Sequence, residues 1–401
     1  MPIKILQITN KPAYPAIDGG CLGMAKMSGF YDSNEKYLID ILTIETQKHK
    51  FFKLEFGKNL SSKPQITSVF MDTKPTFFGV LNYFFGKKSY NLARFSTKEF
   101  GDKILELVSE NKYDIIQFEN IFVGQYYSII RKNCAAKLVL NSANVEYEIW
   151  ERLAKKSSVL KRIYFTKLAK QLKEEEINIW QNMDGIISAT EKDKITIEKK
   201  IHSEVSIVSI PFYLNISDYK CFYKKEVSKV LFFHIGAMDW LPNIEGVDWL
   251  VKNVWKSTFE KGKNSLHLAG KSMPNSIKQF ASNSIKIDGF VEDAKQYISQ
   301  NDVMLVPLFS GSGIRVKIVE AMALGKCIIS TSVGAEGINC EDNMSILIAN
   351  SKEEFIEKMN YLIQNPDRIN EIGKNARKLV EKEHDISLMG SKLHILFDSI
   401  K

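Results

Sequence analysis

The residues whose types and spacing could do chemistry lie in one run, NDVMLVPLFSGSGIRVKIVEAMALGKCIISTSVGAEGI. A buried strand, DVMLVP, ends at Pro307. A loop of small residues, Gly311, Ser312 and Gly313, then leads past Ile314 into a helix beginning near Arg315. The start of a helix offers backbone N–H groups with no intrahelical partner, and its dipole favours negative charge, so such a loop is a ready phosphate seat. Arg315 and Lys317 stand in the first turn, where that dipole disfavours cations. The placement is locally costly and makes sense if an anion sits between the two side chains. Glu320 follows on the same helix. A carboxylate one to two turns beyond a phosphate loop can accept both hydroxyls of a ribose, as an acidic residue does in dinucleotide sites. A plain helix-surface glutamate fits that spacing equally well. The small or pliable Ala321, Met322 and Ala323 allow close packing on a sheet, and Gly325 ends the helix.

The elements that must position these groups are legible as apolar runs. In the first half they are 3–9, 38–44, 115–118, 138–140, 185–189 and 205–210; in the second, 230–235, 266–269, 285–287, 303–306, 328–330 and 346–348. Helix-sized segments separate them, which predicts an α/β fold of βαβ units with parallel sheets. The 401 residues suit two domains better than one core. Pro211 ends a strand and periodicity is lost until Lys229, so the expected division is a Rossmann-like domain over 1–210, a hinge over 211–228 and a second Rossmann-like domain over 229–384. A last helix, about 385–401, carries Leu388, Leu393, Ile395 and Leu396 at helical spacing and must bury that stripe somewhere.

Composition narrows the class further. Apolar and charged fractions of 44% and 25% are those of a globular chain, and the net charge of +8 suits an anionic ligand or membrane face without identifying either. The five cysteines are scattered and form no CxxC pair, which argues against a disulfide framework and for a reducing compartment. No HExxH motif or Cys/His cluster is present, so no metal site is expected, and nothing resembles a nucleic-acid-binding motif. The opening MPIKILQITN reads as a strand rather than a signal peptide, and no apolar run is long enough to span a membrane. Two segments are both basic and aromatic or apolar: 75–95, with Lys87, Lys88 and Arg94, and 152–173, with Arg152, Lys155, Lys156, Lys161, Arg162, Lys167, Lys170 and Lys173. The second reads as one basic amphipathic helix, lying either on an anionic membrane surface or as a solvated face packed on the sheet.

The run ending EAMALG resembles that of the retaining glycosyltransferases of family 4. GAMDWLPNIEGVDWL, LHLAGKSMPNSI and IKIDGFVED are similar to the segments that open that family's nucleotide domain, and Asp18-Gly19-Gly20 to its glycine loop. ANVEYEIW, with Ala143, Asn144 and Glu146, resembles the segment on the far side of the cleft. The resemblance implies a GT-B fold, with two doubly wound domains facing a central cleft and a last helix crossing back to the first. It implies that Glu320 binds the ribose, that Ser312, Gly313, Ile314, Gly236 and Asn243 line the donor nucleotide, and that Asp18, Gly19 and Gly20 lie by the donor phosphates and acceptor. The chain also departs from the family. Ser312 replaces the first glutamate of the paired motif, Ala237 and Asn243 stand where an arginine and a lysine hold the pyrophosphate, and Ala143 replaces a histidine. Arg315 and Lys317 are then expected to take over the phosphate role. The implied activity is retaining transfer of a hexose-type sugar from a nucleotide-diphosphate sugar to a glycan or lipid-linked glycan acceptor in lipopolysaccharide or capsule synthesis. No cofactor or metal is required in that reading, and the expected location is cytoplasmic or peripheral on the inner membrane face. Its rivals are a catalytically impaired, nucleotide-binding GT-B partner in glycan assembly and another GT-B enzyme, an epimerase or phosphorylase.

Overall fold

Strand β1 (Ile3–Thr9) opens a sheet whose central strands are buried on both faces, which is why they read as continuous apolar runs. With β2 (Tyr37–Glu45), β3 (Ile66–Phe70), β4 (Ile115–Phe118), β5 (Lys137–Ser142), β6 (Gly185–Ser188) and β7 (Ser206–Ser209) it forms a sheet in the order β3-β2-β1-β4-β5-β6-β7, every pairing parallel. The second sheet holds β8 (Leu231–Ile235), β9 (Ser265–Ala269), β10 (Ile285–Gly289), β11 (Val303–Val306), β12 (Cys327–Ser330) and β13 (Leu347–Ile348), in the order β10-β9-β8-β11-β12-β13, again parallel. In each sheet the winding reverses once, between β1 and β4 and between β8 and β11. In open α/β sheets that reversal, at the carboxyl ends of the strands, is where ligands bind. The structure, a computed structural model, describes residues 2–401 except Lys63, Phe85, Lys87, Lys156, residues 224–228 and Ser312. Ser312, Lys87, Lys156 and the end of the expected hinge thus lie outside the described residues.

The chain divides into two units, one of Met1–Ile210 with Ser391–Lys401 and one of Pro211–Gly390. Strand alternation splits the second unit's core into two layers. Phe232, Val303 and Leu305 face one side of the sheet, with Trp255 and Phe355, while Phe233, Met304 and Val306 face the other, with Ile318, Val319 and Met322. The helix Val316–Ala323 is buried along most of its length and ends as EAMALG predicts. Gly325, at φ +69°, donates to the Met322 carbonyl and Lys326 donates to that of Ala321, the pair of bonds that closes a helix with a left-handed glycine.

In the first unit the central strands carry polar side chains that satisfy one another. Gln7 and Gln117 each donate to one oxygen of Glu119 at 2.6 Å, Asn141 donates to the other at 2.7 Å, and Ser28 and Tyr31 donate back to the two glutamines at 2.6 Å. Burial pushes the Glu119 carboxyl above its ordinary range, against the pull of the three carboxamides.

Three expectations are corrected. The first sheet has a seventh strand, Ile66–Phe70, an edge strand paired only with β2 and half-exposed, so it lacks the dense apolar signature of its neighbours. The basic segment is two helices, Glu146–Lys155 and Val159–Gln181, because Ser158 starts the second one. The last helix, Ser387–Ser399, buries Met389, Leu393, Leu396 and Phe397, whereas Ile395 is 64% exposed. Spacing from 389 to 393, 396 and 397 keeps one face inward, and Ile395 lies off it. Phe397 packs on Tyr31 and Tyr37, and Leu396 approaches Gly185 so closely that a Cβ there would lie 3.0 Å from its Cδ1.

Candidate functional site

At the reversal of the second sheet, two chain segments emerge beside each other. After β8 the chain turns at Gly236 and Ala237 into the helix Leu241–Trp249, and after β11 it runs through Pro307 and Gly311 to the helix Val316–Ala323. Arg315 is the residue immediately before that second helix, and its own side chain makes no capping hydrogen bond to the helix start. The geometry there is governed by three cationic and aromatic groups. The Arg315 guanidinium is buried, donates to the Gly313 carbonyl at 2.6 Å, and lies 5.6 Å from the centre of the Trp240 ring. A Cβ on Gly311 would stand 2.8 Å from Arg315 Nη2 and 3.1 Å from Trp240, so glycine is what lets the loop lie against this pair.

Lys317 Nζ donates to Asn243 Oδ1 at 2.9 Å and to the Ile235 carbonyl at 3.2 Å, and lies 3.5 Å from His234 Nε2. All of these groups are neutral. Burial, then the neighbouring Arg315 charge, pull its ammonium down to about 7. Asn243 is itself anchored, its Nδ2 donating to the Ala237 carbonyl at 2.9 Å, and a Cβ on Gly236 would meet that carboxamide at 2.7 Å. Gly236, Asn243, Arg315, Lys317 and Gly313 therefore form one cluster. Ile314 instead packs against the core, and Glu320 lies further along the helix, where its Oε1 accepts from the Tyr219 hydroxyl at 3.0 Å. His234, Trp240 and Tyr219 were missed in the sequence. A histidine inside the apolar run VLFFHIG was the one available signal.

The first unit holds the remaining predicted residues in two places, at the ends of β1 and β5, which β4 separates in the sheet. Asp18 caps the helix Gly19–Asp32, accepting from the Cys21 amide at 2.8 Å, and both its oxygens accept from Lys11 at 2.8 Å. Burial opposes the charge, but Lys11 outweighs it and holds the carboxyl well below the usual range. A Cβ on Gly20 would lie 3.0 Å from Lys11 Nζ, which explains a small residue there. Asp18, Cys21 and His49 are a possible trio of metal ligands, with donor atoms within 4.8 Å of one another. Lys11 already neutralises that carboxylate, and burial raises the Cys21 thiol to about 11, so the donor set as it stands suits an ammonium better than a metal ion. Beyond β5, Ala143 is exposed and the Asn144 carbonyl accepts from Ser142 at 3.0 Å. The amides of Glu146 and Tyr147 donate to the two oxygens of buried Glu176, at 2.9 and 3.0 Å, so a carboxylate from the long helix caps the helix Glu146–Lys155. Burial raises the Glu146 carboxyl to about 7 and that of Glu176 to about 8.

Residues 229–365 match the family described as Glycosyl transferases group 1. Solved structures share the fold across the chain at low identity. HepE of Anabaena in complex with UDP and glucose aligns with a TM-score of 0.66 and 15% identity, covering 98% of this chain and 99% of that one. Sucrose-phosphate synthase from Thermosynechococcus elongatus aligns with a TM-score of 0.72 and 14% identity, covering 99% and 100%. Fold and matched domain together define the class, a glycosyltransferase of the GT-B fold. Among curated proteins, an uncharacterized 44.6 kDa protein in the cps region of Klebsiella pneumoniae is 24% identical over 299 residues, 71% of this chain and 74% of that protein.

Proposed function

We propose that this enzyme moves a hexose-type sugar from a nucleoside-diphosphate sugar to a glycan or lipid-linked glycan acceptor, with retention of configuration, in the synthesis of a bacterial surface polysaccharide. The second unit binds the donor, the first binds the acceptor, and 211–228 serves as the hinge. The observation that carries the reading is the pairing of Arg315 and Lys317 at the start of a helix, at the sheet's reversal, with neutral acceptors around Lys317. A helix start that gathers two cations favours negative charge, and a diphosphate supplies it. In the transfer the sugar–oxygen bond to the diphosphate breaks, and negative charge grows on the departing oxygen as an oxocarbenium-like sugar forms. Cations and helix amides already aimed at that oxygen lower the barrier, each typically by about 2.7–4 kcal/mol. They carry the charge that a divalent metal would otherwise supply, so the reaction requires no metal. Glu320, fixed by Tyr219, receives the ribose hydroxyls.

The acceptor class is supported by the Klebsiella relative's place in a cps region and by the first unit's surface. Val159, Leu160 and Ile163 are exposed at the start of the helix Val159–Gln181, beside Lys161, Arg162 and Lys167. That combination suits the anionic inner face of the cytoplasmic membrane, where a lipid-linked acceptor resides. Among the described residues no helix is long and apolar enough to cross the membrane.

The test is a screen of nucleotide sugars scored by nucleotide release, repeated with Arg315→Ala and Lys317→Ala. Each variant should lose about a hundred- to a thousand-fold in turnover; a loss below tenfold removes the diphosphate from this seat. A second reading, a nucleotide-binding partner that transfers nothing, is favoured by Ala143, which offers no polar group at the exposed turn after β5. Nucleotide binding without release from any donor would establish it.

A further inference from the structure

Resting on the donor site just described, we propose that His234 is a positioning residue for the donor diphosphate, its Nε2 lone pair holding the Lys317 ammonium in place until the phosphate oxygens arrive. His234 is the fourth of the five residues of β8 and is fully buried. Its Nδ1 is 2.8 Å from the Leu305 carbonyl on β11, which can only accept. The proton therefore sits on Nδ1 and the lone pair on Nε2, an assignment made from the partners. That lone pair points at Lys317 Nζ, 3.5 Å away. A histidine in a buried strand has no packing advantage over phenylalanine, and the cost of burying its second nitrogen is offset only by a donor.

Among the described residues, four groups face Lys317. From its own helix comes Arg315, a like charge; from β8 come His234 and the Ile235 carbonyl; from the helix Leu241–Trp249 comes Asn243. An ammonium has three protons, and three acceptors receive them. An incoming phosphate oxygen must displace one of these, and the longest contact, to His234, is the one most easily exchanged. Until then His234 supports the charge in a place where burial and Arg315 oppose it. The ring stays neutral, because burial and the lysine hold it well below its ordinary value, so the group that titrates near neutrality here is Lys317. Removing the acceptor should leave a lysine that loses its proton at lower pH, and proton uptake on nucleotide binding should then begin at a lower pH than in wild type.

The experiment separates the two ring nitrogens. His234→Asn places a carboxamide donor near Nδ1, keeps the Leu305 bond and removes the acceptor facing Lys317. His234→Gln extends an acceptor to the Nε2 position. Binding of UDP, GDP and ADP to the full chain is measured calorimetrically from pH 6 to 9, in buffers of different ionisation enthalpy. At pH 6 the Asn variant should bind close to wild type. By pH 8.5 it should be weaker by about tenfold, the scale of one hydrogen bond to a charged group, its proton uptake should exceed that of wild type at pH 6–7, and the Gln variant should recover most of the loss. A loss equal at every pH, or one that Gln does not recover, would overturn the proposal, since a packing role predicts no pH dependence. If the Asn variant fails to fold, the Gln variant and wild type still decide, because the proposal requires them to share one pH profile. If wild type binds none of the three nucleotides, the donor-site reading itself fails.

Discussion

The hydroxyl of Tyr219 donates to Oε1 of Glu320 at 3.0 Å, joining a segment just past Pro211 to the helix that follows Arg315, 101 positions further along the chain. Burial and the carboxylate together push the Tyr219 phenol above its ordinary range, so it remains a donor throughout the working pH range. The carboxylate proposed to take the ribose hydroxyls is thus held from the side.

Glu320→Ala should weaken nucleoside-diphosphate binding by about tenfold or more, while Tyr219→Phe, which removes one hydrogen bond and leaves the carboxylate, should cost roughly two- to tenfold. Titration calorimetry orders the two. Unchanged affinity in Glu320→Ala would remove the ribose role.

Lys317 couples function to stability with a definite sign. Its ordinary value of 10.5 falls to about 7 in the folded protein, so between those values the unfolded chain binds the proton more tightly, and the empty protein gains stability as pH rises from about 7 to 10.5. Below that window both states are protonated and the penalty is complete. Lys317→Met should therefore melt at a higher temperature than wild type at pH 6–7 without nucleotide, and should gain less stability than wild type when nucleotide is added. Thermal melts with and without UDP check both halves, and a lower melting temperature at pH 6–7 contradicts the first.

Gly270 has φ +150°, and a Cβ there would lie 1.8 Å from the Gly236 carbonyl oxygen. Gly270→Ala should cost at least about 2 kcal/mol and weaken nucleotide binding, because relief requires moving Gly236 and with it the support of Asn243. Gly289, at φ +69° with nothing near its would-be Cβ, is the control. Its alanine variant should cost about 1–2 kcal/mol and leave binding intact. Denaturant unfolding and calorimetry measure the pair.

Reversing charge at Lys161, Arg162 and Lys167 should lower affinity for anionic liposomes by on the order of a hundredfold, since each cation near such a surface contributes about 1 kcal/mol. Neutral vesicles should be bound weakly by both proteins. Equal sedimentation with anionic vesicles would leave this helix as a solvated face.

How far sequence alone reached follows from what each residue touches. The strand VMLV, bounded by Pro307, announces itself because burial on both faces demands an unbroken apolar run. Ile66–Phe70 does not, because an edge strand is half wet. Arg315 and Lys317 were legible because a cation in the first turn of a helix opposes a local rule. His234 stands 83 positions from Lys317, so neither periodicity nor local spacing could join them. The misplaced Ile395 has the same origin: a stripe can be phased only when the surface receiving it is known, and Tyr31, Tyr37 and Gly185 are far away in the chain.

Order of synthesis matters for a molecule assembled this way. Tyr31 and Tyr37 leave the ribosome early, yet the ring that covers them, Phe397, is among the last residues made. Throughout translation of Pro211–Gly390 the nascent first unit carries an uncovered apolar patch. A fragment stopped at Ile210 would keep that patch permanently and should aggregate. A fragment that joins Ser391–Lys401 directly after it, through a short linker, is the version to express.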